Sequence, residues 1–252
     1  MTRPAQAQTA YTRRLEWGLG GALALVGDAR PADVAVVVDV LSFTTTLTVA
    51  LEQGVVVHPY PWRAEDAAAY AGERGAALAV GRREGLETGS VSLSPVSFLG
   101  VSGIDRVVLP SPNGSAICFA LADAGVTVVG AALRNAAAVS RWLRERQAST
   151  VAVVAAGERW PDGQLRPAVE DLWGAGAVLA ALGEAGASPE ARMAVAAFGA
   201  VEDRLGDELA SCASGRELVE DGFGADVDMA AAYDVSQVVP LLYGDAFVDG
   251  RS

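Results

Sequence analysis

The chain has 252 residues, of which 51% are hydrophobic, and it carries a formal net charge of −12 at pH 7. Its length and apolar content suit either one large α/β domain or two small ones. Its acidity argues against nucleic acid and against an anionic membrane as partners, because neither attracts a negatively charged surface. An acidic protein that binds a small anion needs a cation or backbone dipoles to do so.

The cysteines and the start of the chain predict a cytoplasmic protein. Cys118 and Cys212 are far apart and have no metal-ligand spacing, so we expect both to be reduced and buried. The first residues contain arginine but no apolar core of a signal peptide, and residues 1–10 are predicted to form a loose tail. Since no uncharged apolar run of about 18 residues occurs, no membrane span is predicted.

Apolar runs and helical patterns alternate along the first two thirds of the chain. Strands are predicted at residues 11–17, 34–38, 55–60, 76–80, 106–109, 126–131, 150–156 and 238–243, the last before a polar tail. Helices are predicted at residues 18–26, 47–54, 64–74, 116–124, 135–147, 167–183, 189–201, 204–212, 216–221 and 225–233. This alternation predicts an α/β fold with a mainly parallel sheet, layered α/β/α, and a more helical C-terminal third.

Residues 81–103 interrupt the alternation with Gly, Ser and Pro, and are predicted to form a long surface loop. We expect residues 1–252 to form a single unit, with a division into two lobes near residues 81–105 as the alternative. An apolar surface under the loop favours a homodimer.

Three loops share one predicted geometry, because each leaves a buried strand and enters a helix. They span residues 39–46, 111–115 and 157–171. Ligands of open α/β sheets bind at such strand ends, and helix N-termini there bind anions. If the three strands are neighbours, the side chains that converge at this edge are Asp39, Asn113, Glu170 and Asp171.

Each of these residues also has a purely structural interpretation. Asp39 suits a cap for the next turn, and Thr44 to Thr46 suit N-cap hydroxyl groups. Asn113-Gly114 is a common turn dipeptide, and Glu170 and Asp171 suit the first turn of a helix, where the dipole stabilises carboxylates.

The ligands that the chain can offer favour a hard metal ion. The acidic groups supply oxygen atoms, whereas one histidine and two separated cysteines do not make a zinc site. Oxygen ligands and an anionic substrate together indicate Mg²⁺. Neither a P-loop motif nor a GxGxxG motif after the first strand is present, so the sequence does not support nucleotide binding of these kinds.

A series of short segments carries a family resemblance. In order, they are DVLSFTTT at 39–46, LSP at 93–95, PSPNGS at 110–115, NA at 135–136, AAG at 155–157, ED with GA at 170–177, and the segment 211–227. The series resembles the 2-phosphosulfolactate phosphatase family of the coenzyme M pathway. The resemblance implies an α/β protein that converts 2-phosphosulfolactate or a relative to the free hydroxy acid, with Mg²⁺ as cofactor.

The same resemblance assigns roles by position. It implies that Asp39, Glu170 and Asp171 handle the metal or the attacking water, with Asp226 as a further acid. The residues that it implies around the phosphate or the rest of the substrate are Ser42, Thr44, Thr45, Asn113, Gly114, Ser115 and Asn135. Direct attack of water on phosphorus is favoured, because Leu41 replaces the second carboxylate of the DxD phosphatases, with a phosphoaspartyl intermediate on Asp39 as the alternative.

The chain departs from the family pattern at two positions. The family has arginine, a bidentate partner for phosphate or sulfonate, where this chain has Ser42, and Arg82 and Arg134 are candidates to replace it. Ala155 takes the place of a family cysteine, which excludes a thiolate nucleophile there. The alternatives are therefore a different Mg²⁺-dependent hydrolase on the same scaffold and a non-catalytic protein that binds small anions.

Overall fold

The structure is a computed structural model that describes residue 3 and residues 5–27, 32–61 and 64–251. The strands are β1 Arg13–Trp17, β2 Val34–Val38, β3 Val56–Pro61, β4 Ala77–Leu78, β5 Arg106–Ser111, β6 Thr127–Ala131, β7 Val151–Ala155, β8 Glu158–Arg159, β9 Leu165–Arg166, β10 Pro240–Tyr243 and β11 Ala246–Asp249. The α-helices are α1 Gly18–Val26, α2 Phe43–Glu52, α3 Ala64–Arg74, α4 Arg82–Thr88, α5 Gly114–Asp123, α6 Ala136–Glu145, α7 Val169–Leu182, α8 Pro189–Gly199, α9 Leu205–Ser211, α10 Ala213–Glu220 and α11 Gly224–Ala231. Short 3₁₀ helices lie at Pro95–Phe98, Leu133–Asn135 and Glu202–Arg204.

Within the described residues, nine strands form one sheet in the order β1-β7-β2-β6-β10-β11-β3-β5-β4. The strands β1, β7, β2 and β6 pair in parallel, and so do β3, β5 and β4. The antiparallel hairpin β10–β11 joins the two parallel groups. The three antiparallel pairings in succession make the second group run opposite to the first.

Helices cover both faces of the sheet, as the uninterrupted valine run of β2 predicts. Val36 and Val38 belong to a core that includes Trp142 of α6 and Val178 of α7. On the opposite face, Val37 belongs to a second core with residues of α2 and α5. The prediction of an α/β fold with a mainly parallel sheet flanked by helices is confirmed.

Two segments that were predicted to be irregular are ordered. The stretch at 81–103, predicted as a loop, contains α4 and a 3₁₀ helix; α4 ends at Gly89, whose φ of 71° suits glycine. The residues after β10, predicted as a polar tail, form β11 instead. Phe247 of β11 is fully buried and pairs with Val57 of β3, so this strand is central to the sheet.

The predicted N-terminal tail is attached where the structure describes it. Gln8 is buried, and its side-chain amide donates to the carbonyl oxygen of Leu15 at 2.7 Å and accepts from the Leu15 N–H at 3.2 Å. This part of the segment therefore packs on β1 rather than lying loose, while residues 1, 2 and 4 lie outside the described residues. None of the helices in the described part of the chain has the length and apolar character that a membrane crossing requires.

Candidate active site

Asp39 follows β2 directly and connects two helix starts. One oxygen of its buried carboxylate accepts a hydrogen bond from the Phe43 N–H at 3.1 Å, and the other accepts one from the Gly114 N–H at 2.8 Å. Phe43 and Gly114 are the first residues of α2 and α5. The carboxylate therefore brings these two helix N-termini together, although four strands lie between β2 and β5 in the sheet.

The environment of Asp39 opposes its negative charge. Burial is the largest effect that raises the pKa of Asp39, to about 6, and the charge of Glu170 acts in the same direction. The two backbone hydrogen bonds and the charge of Arg82 lower the pKa without cancelling the rise. Buried carboxylates with mutual repulsion create a place where a bound cation is favoured.

The hydroxyl groups of Thr44 and Thr45, which were predicted to lie around the phosphate, donate to backbone carbonyl oxygens of the turn between β2 and α2. Thr44 donates to the carbonyl oxygen of Asp39 at 2.7 Å, and Thr45 donates to the carbonyl oxygen of Val40 at 2.7 Å. Both side chains are fully buried. These hydroxyl groups therefore stabilise the start of α2, and a role of the two threonines at the phosphate stays a prediction.

Asp171 joins the ends of two neighbouring strands. Its carboxylate accepts from the Val40 N–H after β2 at 2.7 Å and from the Gly157 N–H after β7 at 2.8 Å. Burial, followed by the charges of Asp39 and Glu170, raises the pKa of Asp171 well above its ordinary value. Each oxygen binds one backbone N–H, as in Asp39, so Asp171 holds the ends of β2 and β7 together beside the other carboxylates.

Glu170 is buried beside Asp171 in the first turn of α7. Burial, followed by the charge of Glu170, raises the pKa of the Cys212 thiol to about 12, and this thiol donates to the Leu209 carbonyl oxygen at 3.2 Å. Glu170 also raises the pKa of Asp39, Asp171 and Glu158, so it lies within electrostatic reach of all three. The predicted convergence of the strand-end carboxylates is present.

Glu158 belongs to the site although the sequence did not single it out. The Asn113 side-chain amide donates to Glu158 Oε2 at 2.8 Å. Burial is the main effect that raises the pKa of Glu158, to about 7, and the charge of Asp39 adds to it. Asn113 lies immediately before α5, in the turn that was predicted to bind phosphate. Its hydrogen bond therefore places the Glu158 carboxyl group beside that turn.

The Arg82 guanidinium lies next to Ser42, where the family has arginine. Its guanidinium donates to the Ser42 hydroxyl at 2.5 Å and to the carboxylate of buried Asp226 at 3.2 Å. The Ser94 hydroxyl donates to the other oxygen of Asp226 at 2.5 Å. Asp226 therefore lies behind Arg82 and orients it next to Ser42, whereas Arg134 binds Glu52 and does not replace the family arginine.

A cavity of about 680 Å³ lies between these groups and the C-terminal helices. Its wall includes Leu41, Arg82, Glu158, Arg159, Arg166 and Ser214. The wall carries charges of both signs, with the guanidinium groups of Arg82, Arg83, Arg159 and Arg166 and the carboxyl groups of Glu84, Glu158, Glu217 and Asp221. Asp39 and Glu170 are buried next to this wall, so an anion in the cavity would meet arginine side chains and lie near carboxylates.

Two predicted substrate-binding residues are engaged elsewhere. The Ser115 hydroxyl accepts from the Tyr60 N–H at 2.6 Å and donates to the Leu109 carbonyl oxygen at 3.2 Å. The Asn135 amide accepts from the Ala132 N–H at 2.8 Å and donates to the Val238 carbonyl oxygen at 3.1 Å. Both side chains are fully buried, so these hydrogen bonds stabilise strand connections and do not reach the cavity.

The carboxylates suit Mg²⁺ in their chemistry. In the described part of the chain, no three His, Cys, Asp or Glu side chains lie close enough together to hold a metal ion by themselves. Mg²⁺ often binds through one or two carboxylates and completes its coordination with water and substrate phosphate. Asp39 and Glu170 are oxygen donors whose charges repel each other, so a pair of this kind fits the ion.

The comparisons with known proteins define the class of enzyme. The family model described as 2-phosphosulpholactate phosphatase matches residues 24–245, which is most of the chain. The site is therefore that of a phosphoric monoester hydrolase. The chain belongs to the 2-phosphosulpholactate phosphatase family.

Individual relatives agree with this family assignment. The chain is 35% identical over 225 residues to a Deinococcus radiodurans protein named "Probable 2-phosphosulfolactate phosphatase", a match that covers 86% of this chain and 91% of the relative. Proteins of the same name from Thermus thermophilus and Gloeobacter violaceus are each 34% identical, over 84% and 86% of this chain and 89% and 90% of theirs. The suspected resemblance is confirmed.

The cavity residues that sequence reasoning missed lie on one hairpin. Residues 157–166 belong to the stretch 157–171 that was predicted as a loop, but β8 and β9 pair there and carry Glu158, Arg159 and Arg166. A signal was available in Pro161-Asp162-Gly163, a strong turn sequence with an arginine on each side of it. A hairpin at the end of β7 places those arginines beside the strand-end carboxylates.

Proposed function

We propose that the protein hydrolyses the phosphate monoester of a small organic acid with several negative charges, 2-phosphosulfolactate or a close relative. The observation that carries the proposal is the cavity with arginine side chains on its wall and the buried Asp39 and Glu170 beside it. The names of the relatives support the same substrate. The products would be inorganic phosphate and the free hydroxy acid.

The arginine side chains of the cavity suit such a substrate. 2-Phosphosulfolactate carries a phosphate, a carboxylate and a sulfonate group, and the cavity offers the guanidinium groups of Arg82, Arg159 and Arg166. Guanidinium groups bind each of these anions with two parallel hydrogen bonds. A hydroxy acid phosphate with one further acidic group would satisfy the same arrangement.

We propose Asp39 and Glu170 as the residues that hold Mg²⁺. When bound, the ion would neutralise charge on the phosphate and lower the pKa of a coordinated water. Asp171 would keep the ends of β2 and β7 in register around this pair through its bonds to Val40 and Gly157. Arg82, held by Asp226, would bind an anionic group of the substrate next to Ser42.

The reaction would follow the geometry of the two helix starts. The N-termini of α2 and α5 meet at Asp39, which accepts from the Phe43 and Gly114 N–H groups. A phosphate oxygen would bind other first-turn N–H groups of the two helices. Water attacks phosphorus in line with the departing oxygen, and a carboxylate of the Asp39 and Glu170 pair accepts its proton. Leu41 instead of a second aspartate favours this direct attack over a phosphoaspartate.

The position of the acidic groups favours an enzyme over a non-catalytic anion binder. Asp226 forms an ion pair with Arg82, but Asp39 and Glu170 are buried without a hydrogen-bonded arginine of their own among the contacts described. A binder would gain from neutralising every acid near its anion. Carboxylates kept beside the cavity instead suit a metal ion and proton transfer.

Phosphate release from a panel of phosphorylated hydroxy acids tests the function. We expect release from 2-phosphosulfolactate or a related substrate, loss of release in EDTA, and its return when Mg²⁺ is added in excess. Release that persists in EDTA would contradict the metal requirement. A panel in which no compound loses phosphate, with Mg²⁺ present, would contradict the phosphatase assignment.

Replacing Arg82 with lysine is expected to weaken substrate binding about tenfold. Lysine keeps the positive charge beside Asp226 but loses the planar fork, and about 1.4 kcal/mol of charge-assisted hydrogen bonding corresponds to that factor. Steady-state kinetics should show a higher KM with kcat changed less. Arg204→Lys is the matched control, since Arg204 is exposed and pairs with Glu208 away from this cavity; equal KM changes in both variants would contradict a specific role of Arg82.

A further inference from the structure

Glu158 lies between the two halves of the proposed site. On one side its Oε2 accepts from Asn113, the residue before Gly114, whose N–H binds Asp39. On the other side it shares the hairpin β8–β9 with Arg159 and Arg166, which line the same cavity. Of the carboxylates described above, it is therefore the one that lines the cavity and also neighbours the helix starts at Asp39.

A second cavity meets the first at this residue. Its volume is about 390 Å³, and Asn113, Glu158 and Arg159 belong to its wall together with the start of α1. Glu158 is thus reached from two cavities while most of its side chain is buried. A carboxyl group in this position can exchange a proton with solvent after each turnover.

In the proposed binding mode, Glu158 lies next to one atom of the substrate, the ester oxygen that leaves phosphorus. If phosphate binds at the starts of α2 and α5 and the acid groups bind Arg159 and Arg166, the ester oxygen lies between them, next to Glu158. The Asn113 N–H occupies a lone pair of Oε2, so a proton on the carboxyl group belongs on Oε1. The alkoxide of a hydroxy acid is a poor leaving group and needs such a proton.

We propose that Glu158 is the general acid of the reaction and that Asn113 positions it. This inference rests on the proposed phosphatase function. As the oxygen of water bonds to phosphorus, the bond between phosphorus and the ester oxygen breaks and its electron pair goes to that oxygen. The Glu158 proton is transferred to the same oxygen, which yields the alcohol, and the carboxylate regains a proton from solvent.

The charged groups around Glu158 agree with a proton donor near neutral pH. Burial and the charge of Asp39, followed by that of Glu170, raise its pKa to about 7, whereas the Asn113 hydrogen bond and the charge of Arg166 lower it. The protonated form is therefore populated at neutral pH and is lost as the pH rises above this value. Activity that depends on Glu158 should decrease on the alkaline side.

Two phosphate esters with different leaving groups test the proposal with the full-length protein. Glu158→Gln should lower kcat on 2-phosphosulfolactate, an alkyl ester, by roughly 10² to 10⁴-fold. On p-nitrophenyl phosphate, whose leaving group needs no proton, the loss should be less than about tenfold. In Glu158→Gln, the alkaline decrease of kcat on the alkyl ester should vanish. In Asn113→Leu, which keeps Glu158, the same decrease should move to higher pH, because the Asn113 hydrogen bond lowers the pKa of Glu158.

Controls separate this inference from the proposed function and from misfolding. Asp162→Asn, in the exposed turn of the same hairpin, should keep wild-type kinetics, and thermal unfolding should show that Glu158→Gln is folded. Equal losses on both esters, or an alkaline decrease that persists in Glu158→Gln, would overturn the inference. If the wild-type protein cleaves only the alkyl ester, the presence or loss of the alkaline decrease in Glu158→Gln decides whether Glu158 is the general acid. If the wild-type protein cleaves neither ester, the proposed function itself is contradicted.

Discussion

Asp39→Asn is expected to abolish Mg²⁺-dependent phosphate release while the fold stays intact. The substitution keeps the shape of the side chain and one oxygen that can accept from Phe43 or Gly114. It removes the negative charge that a cation and the attacking water require. A loss of about 4 kcal/mol of charge stabilisation in the transition state corresponds to a decrease of about 10³-fold in kcat/KM.

The opposite end of the same strand provides the control for this variant. Asp33 precedes β2 and accepts from the Thr150 N–H at 2.8 Å, far along the strand from the cavity. Asp33→Asn removes one charge from the chain and should leave kcat/KM unchanged. Undiminished turnover of the true substrate by Asp39→Asn would refute the catalytic role, and a cooperative thermal transition near that of wild type would confirm that the variant folds.

The pH dependence of the wild-type protein gives an independent measure of Asp39. Its pKa of about 6 lies above the ordinary value of 3.8 because burial disfavours the charged form. Between these two values the folded protein holds a proton that the unfolded chain releases, so this group lowers stability as the pH rises from about 4 to about 6. Catalysis needs the charged form, so activity should increase over the upper part of this range.

The strand, the carboxylate and the helix at residues 34–52 could be predicted because their signals are local. Uninterrupted valines indicate a strand with two buried faces, and the polar turn after Asp39 precedes an apolar helix. Which partner each hydroxyl group binds is not local. Thr46 donates to the carbonyl oxygen of Leu93, and Ser115 accepts from Tyr60, residues whose proximity depends on the whole fold.

The order of the strands could not be predicted, for a physical reason. Residues 240–249 form a hairpin that pairs with β6 on one side and β3 on the other, so the end of the chain completes the middle of the sheet. Periodicity shows that a segment is a strand but not which strand it pairs with. The meeting of Asp39 with Gly114 across this sheet is therefore a property of the fold.

Gly114→Ala is expected to separate the two helix starts. A Cβ atom at Gly114 would lie 2.6 Å from Phe43 Cδ1 and 2.7 Å from Asp39 Oδ2. The Phe43 ring is fully buried and packs edge-to-face on Phe247, so it has little room to move. The start of α5 must shift instead, which costs about 1–3 kcal/mol of stability.

The shift should impair activity more than its effect on stability suggests. A displacement of about 1 Å at a catalytic group lowers the rate about 10²-fold. The lost hydrogen bond from the Gly114 N–H is one of the contacts that lower the pKa of Asp39, so that pKa should rise above about 6. The acidic side of the pH profile of kcat/KM should therefore move to higher pH in this variant.

Gly72→Ala is the matched control, because nothing lies within 4 Å of a Cβ atom at that position in α3. It should raise the free energy of unfolding by about 0.5–1 kcal/mol, as alanine does in a helix interior, and leave the pH profile unchanged. Full activity of Gly114→Ala with a wild-type acidic limb would show that the contact between α5 and Asp39 is dispensable. If Gly114→Ala is folded and the acidic side of its kcat/KM profile lies at higher pH, glycine is required at this position so that its backbone N–H can reach the Asp39 carboxylate.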